Sequence, residues 1–207
     1  MPKEEWRESL RPRIEAARAE LAQHNPAELA RRGGLTRNGD RFELSLLGQT
    51  ILIRWPTLVA TRSDGKPCPE ELQILLLDYL ARGAGAEPSG EWIGFQELPD
   101  GSFYRHAFQG YSADQLVRDL AGDIAAFRRA AETLGGDPLE MGDAGYGFRA
   151  LPHVPLAVIW WAGDEEFPAN ATVLFDASAS HYLPTDGLAI LGRMLCRTLA
   201  KLGKAES

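Results

Sequence analysis

The chain has 207 residues, 44% of them apolar and 25% charged, so it is long enough to bury a globular core and too apolar for wholesale disorder. Its 29 acidic against 22 basic residues leave a formal charge of −7, which repels phosphate backbones and argues against nucleic acid as a partner. Two cysteines, Cys68 and Cys196, are too few for a disulfide framework, a multi-cysteine metal site or an iron–sulfur cluster.

The opening MPKEEWRESL contains no apolar signal core. Trp6, Leu10, Ile14, Ala17 and Leu21 recur at helical spacing, with Pro12 expected to kink or divide the run near Arg11. This predicts an N-terminal helical extension over residues 1–23. Asn25-Pro26-Ala27-Glu28 has the pattern of a helix start, with Asn25 as N-cap, and Gly33-Gly34 ends that short helix.

From Asp40 to Thr61 the period changes to two. Phe42, Leu44 and Leu46 lead into a turn at Leu47-Gly48-Gln49, and Ile51, Ile53 and Trp55 follow, which predicts a β-meander. After the turn at Ser63-Asp64-Gly65-Lys66, Leu72, Leu75, Leu76, Tyr79 and Leu80 form an amphipathic helix expected to roof the sheet. GAGAEPSG then reads as a flexible loop.

The next stretch is rich in rings: Trp92, Phe95, Phe103, Tyr104, Phe108 and Tyr111, with His106 among them. Ordinary helix or strand periodicity does not account for it. A helix opened by a Ser112/Gln115 capping box and a second bearing Ile124, Phe127, Ala131 and Leu134 are expected to pair, the latter stopped by Gly135-Gly136. Three strands follow, at residues 145–151, 155–162 and 171–176. A charged loop, GDEEFPAN, joins the last two, and a final helix begins near Thr185. The longest apolar run, residues 154–162, is about half of what a membrane helix needs. The expected architecture is a single α+β domain over residues 24–203, an antiparallel-rich sheet packed with several helices, with a tail at 204–207. The expected location is the cytoplasm, without membrane contact.

Leu156, Val158 and Trp160 alternate with Ala157, Ile159 and Trp161, so this strand needs apolar cover on both faces and belongs at the centre of its sheet. The two tryptophans occupy separate environments, either of which is core or a pocket wall. His106, His153 and His181 lie in or beside apolar and aromatic segments, but their spacings match neither HxxxH nor HExxH, which argues against zinc. A single histidine can still ligate a planar macrocycle enclosed by aromatic side chains, with His106 the first candidate. Asp164, Glu165 and Glu166, with Asp176 expected across the hairpin, compose an alternative metal or acid/base cluster, as in a small metal-assisted hydrolase. No GxxxxGK[ST] loop occurs, GDAGYG lacks the spacing of a dinucleotide fingerprint, and Asp176, Ser178 and His181 lack a nucleophile elbow.

The blocks GEWIGFQELPDGSFY and AETLGGDPLEMGDAGYGFRALPHVPLAVIWWAGDEEFPANATVLFDASASHYLPTDGLAILG carry a resemblance to a family known as domain of unknown function DUF3786, found mainly in anaerobic bacteria and archaea. The similarity extends from about residue 24 to the C-terminus. Some members of that family carry a cysteine-rich iron–sulfur module of the kind seen in corrinoid proteins, so the resemblance implies a link to tetrapyrrole chemistry. This chain lacks the module. The expectation is a binding protein for a planar cofactor such as a corrinoid or haem, lined by Trp92, Phe95, Phe103, Tyr104, Phe108, Trp160 and Trp161, with His106, His153 or His181 as axial ligand. The alternatives are the carboxylate enzyme and an accessory subunit whose aromatic patch meets a protein partner.

Overall fold

The computed structural model describes residues 3–205, with side chains from residue 10 onward. Helix α1 (Lys3–Leu21) runs through Pro12 without division. Leu10, Ile14 and Leu21 are buried and join the main core; Trp6 lies outside the described side chains. Helix α2 (Pro26–Gly33) starts where the sequence predicts, with the Asn25 side chain accepting from the Ala27 and Glu28 N–H groups. It ends on Gly34 in the left-handed conformation, pressed against His153 so closely that a β-carbon there would overlap the imidazole.

Strands β1 (Thr36–Asn38), β2 (Arg41–Leu46), β3 (Gln49–Arg54) and β4 (Val59–Arg62) form the expected antiparallel meander, turning at Leu47-Gly48 with positive φ at both residues. Phe42, Leu44, Leu46, Ile51 and Ile53 point into the core. Helix α3 (Glu70–Arg82) packs along α1 and closes the end of the meander through Gln73. This buried amide donates to the Ala60 and Cys68 carbonyls and accepts from the Ala60 N–H and Arg18, so its burial is compensated at both ends.

The ring-rich stretch is regular after all. Strand β5 (Trp92–Gly94) is followed by a 3₁₀ turn at Phe95–Glu97 and by helix α4 (Gly101–Tyr111). Its apolar content escapes helical patterning because a single ring, Phe108, anchors α4, stacked on Phe95 at 4.2 Å and tilted against Phe175. Helices α5 (Ala113–Asp119) and α6 (Ile124–Thr133) each pack on α7 (Thr185–Ala205) rather than on one another, which corrects the expected pairing. The Ser112 capping box also does not form. The Ser112 hydroxyl donates back to the Phe108 carbonyl, because α4 runs up to Ser112 and its own last turn claims that side chain.

Strands β6 (Asp137–Leu139), β7 (Ala144–Leu151), β8 (Val154–Trp161) and β9 (Asn170–Asp176) complete a second antiparallel sheet in the order β5-β9-β8-β7-β6, with β8 central as its two apolar faces require. Pro138 lies in the edge strand β6, where a proline lacking an N–H is tolerated. One face of this sheet, including Trp160, Tyr146 and Phe175, lies under the helices. On the other, Ala157 and Ile159 are buried while Trp161 is 41% exposed. Cover there comes from the Trp92 ring over Gly147 and from the Met141–Gly142 turn over Ile159. The two sheets meet where the Leu47 N–H donates to the Ala150 carbonyl. No helix among the described residues is long and apolar enough to cross a membrane.

Candidate functional site

A cleft of about 670 Å3 opens between α1, α3, α4 and the first turns of α7. Each helix contributes positions three or four apart, as 3.6 residues per turn requires for one facing stripe. From α3 come Glu71, Ile74, Leu75, Asp78 and Arg82, from α4 Tyr104, Ala107 and Tyr111, and from α7 Asp186, Ala189, Ile190 and Arg193. Leu10 and Arg13 of α1 lie at one side. Phe95, Leu183 and Pro184 form the floor, and the Thr185 hydroxyl fixes one corner by donating to the Pro99 carbonyl at 2.6 Å. The volume is that of a small-molecule site, and the lining mixes an apolar floor with charged walls.

Asp78 is the most unusual of these charges. It follows Leu75, Leu76 and Leu77 on α3, is half-buried, and has neither an ion pair nor a hydrogen-bond acceptor role among the described residues. Burial raises its pKa above the ordinary aspartate value; Asp186 adds to the rise, while Arg13 and Arg82 oppose it from a distance. Deeper in the same wall Arg193 pairs with Glu71, and its guanidinium carbon lies 6.0 Å from the centre of the Tyr111 ring. The Arg193 Nε is buried with no hydrogen-bond partner among the described residues. A desolvated carboxyl that lines a cavity gains from a polar ligand.

The residues singled out by sequence are scattered across the molecule. Tyr104 and Phe95 line the cleft. Phe108 lies beneath α4 in the core, and Phe103, 85% exposed, points to solvent. Trp92 and Trp161 belong to the helix-free face of the second sheet, and Trp160 is fully buried, stacked on Phe127. His106 is exposed on α4, two residues from Tyr104 and so turned some 200° away on the helix, where it accepts from the Arg105 Nε at 3.2 Å. His181 is exposed at the end of the 3₁₀ turn Ala177–His181. His153 stacks on Tyr182 at 5.3 Å, which stacks in turn on Tyr79 at 5.6 Å. The Tyr79 hydroxyl donates to the Gly33 carbonyl and accepts from the His153 N–H. Among the described residues no histidine lines the cleft, and of the three candidates only His106 lies in the aromatic segment, on a different side of α4 from Tyr104.

The expected carboxylate cluster is likewise separated. Asp164, Glu165 and Glu166 sit in the exposed loop before β9, whereas Asp176 ends that strand, about 20 Å further along at the rise of a β-strand. Asp164 ties its own loop by accepting from the Glu166 and Phe167 N–H groups, and these bonds hold its pKa below the usual range. Asp176 is buried and accepts from the backbone and side chain of both Ser89 and Ser178 and from the Gly90 N–H. Among the described residues no group of three or more histidine, cysteine, aspartate or glutamate side chains is placed to hold a metal ion. Both thiols are buried; desolvation pushes Cys196 up to about 12, which makes it a core residue rather than a nucleophile.

Sequence reasoning missed the cleft because it ranked aromatic residues above charges. The available signal was Asp78, a carboxylate set in the apolar run ILLLDYL.

Fold and cleft together define an α+β protein of two antiparallel sheets with a mixed polar and apolar cavity between its helices. The chain matches the family described as domain of unknown function (DUF3786) over residues 25–198, and it belongs to that family. No curated protein and no solved structure matches it.

Proposed function

We propose that the protein binds a small amphipathic organic ligand in the cleft between α3, α4 and α7. The observation that carries this reading is Asp78, a half-buried carboxyl without a partner among the described residues, in a cavity of ligand size. Leaving such a group desolvated costs stability, and a ligand that donates a hydrogen bond or presents positive charge recovers that cost. Ile74, Leu75, Ile190 and Phe95 supply apolar contact for the rest of the ligand. A haem in this site would be held by face contacts and by its propionates on Arg13 and Arg82, and a corrinoid, whose side chains are amides, by face contacts and hydrogen bonds, in neither case by an axial histidine, since His106, His153 and His181 do not line it.

The test is a thermal-shift screen of the purified chain with haem, cobalamin, amino acids, dipeptides and nucleosides, run in parallel on Ala107→Trp. Ala107 is exposed on the cleft wall, so the larger ring narrows the cavity without disturbing the core. The expected result is a probe that stabilises the wild type and loses most of its effect on the variant. Equal stabilisation of both proteins by every active probe would place binding elsewhere and sink the reading.

A further inference from the structure

Resting on that reading, we infer that the ligand of the cleft is a zwitterion with an apolar body, its cationic group directed to Asp78 and Asp186 and its anionic group to Arg13 and Arg82. All four side chains line the one cavity, two of each sign. They are near enough that Arg13, Arg82 and Asp186 all act electrostatically on Asp78. Yet none of the four forms an ion pair within 4.0 Å among the described residues, although elsewhere on this surface opposite charges close onto one another, as Arg11 does on Glu70 and Lys204 on Asp119.

Opposite charges that share a cavity without touching leave space for a group between them. A ligand of one sign would satisfy one pair and meet repulsion from the other, whereas a ligand carrying both satisfies each by charge-assisted hydrogen bonds. Arg193 and Glu71 already neutralise one another in the same wall, and Asp100, which also lines the cavity, adds one negative charge that favours the ligand's cationic group. Ile74, Leu75 and Ile190, which line the same cavity, set the body of the ligand as apolar. The chemical class is that of a short apolar peptide or an amino acid with a large side chain.

Isothermal titration of the full chain with leucyl-phenylalanine, with its N-acetyl form and with its C-terminal amide tests this directly, because each blocked form removes one charge and keeps the body. The free dipeptide is expected to bind at least tenfold more tightly than either. Asp78→Asn should erase its advantage over the N-acetyl form, and Arg82→Gln its advantage over the amide. If the blocked forms bind as tightly as the dipeptide while Ala107→Trp still weakens all three, the zwitterion inference fails and the cleft reading stands. Absence of binding by all three overturns the inference as well, with the cleft reading then resting on its own screen. Binding insensitive to Ala107→Trp overturns both.

Discussion

The Trp160 ring on β8 lies flat on the Phe127 ring of α6, with centroids 5.0 Å apart and planes 19° from parallel, while Trp161, the next residue, faces the opposite side of the sheet and is 41% exposed. Alternation along a strand produces this split, and it gives two adjacent tryptophans different worth. Trp160→Ala should cost about 3–5 kcal/mol, the range for emptying a buried aromatic site. Trp160→Phe should cost less than half of that, because it keeps the stack and removes an indole N–H that is buried with no partner among the described residues. Trp161→Ala should stay within about 0.5 kcal/mol of wild type. Urea denaturation of the three variants measures all of this, and comparable losses at the two tryptophans would contradict the assigned faces.

Asp176 ties the loop before β5 to the end of β9. Burial acts to raise its pKa, but the hydrogen bonds from Ser178, Ser89 and Gly90 together outweigh burial and hold it below the ordinary value. A carboxyl depressed in the fold contributes stability that is present above the unfolded value, about 3.9, and is lost as the pH falls through the folded one. Asp176→Asn replaces one acceptor oxygen with a donor facing N–H groups, and should cost about 2–4 kcal/mol at neutral pH. It should also flatten the acid limb of the stability profile. A variant as acid-sensitive as the wild type would show that another group sets that limb.

Where side chains alternate or caps are local, the fold was legible in the residues. The meander around Phe42 and Ile53, the Asn25 cap and the central position of β8 all follow from short-range pattern. The Ser112 capping box failed for a reason no local pattern contains: the preceding helix ends on that same residue. Asp176 was misplaced because it ends β9, whereas the loop of residues 164–166 meets the start of that strand, about 20 Å away at the rise of a β-strand. The family resemblance was legible; the cleft was not, because Arg13, Asp78 and Asp186 come from three helices spread over about 170 residues of chain.

Gly101 opens α4, and a β-carbon there would collide with the Phe95 carbonyl oxygen, a backbone atom with no rotamer to yield. Gly110, near the other end of the same helix, has nothing within 4 Å of its β-carbon position. Gly101→Ala should therefore destabilise by about 2 kcal/mol or more, with Tyr104 displaced from the cleft wall. Gly110→Ala should be neutral or stabilise by up to about 1 kcal/mol through helix propensity. Thermal unfolding of the pair checks the contrast, and similar midpoints would mean that α4 is not seated on Phe95 as described.

Asp78 sets stability against function. Its pKa is raised in the fold, so the folded state holds the proton more tightly than the unfolded chain does, and the fold is progressively disfavoured as the pH rises from about 3.9 through the folded value. Asparagine has the same shape and no charge to desolvate. Asp78→Asn should therefore match the wild type in acid and exceed it at pH 7, by a rise in Tm on the order of 1–3 °C. The same substitution should weaken cleft ligands that present a cation or a hydrogen-bond donor to this position. A stability gain joined to a binding loss is the signature of a residue kept for its ligand, because a structural residue loses stability when its chemistry is changed. Melting curves of the two proteins at pH 4 and pH 7 decide the first half: a variant less stable than wild type at pH 7 would mean that Asp78 has a structural partner and would remove it from the site.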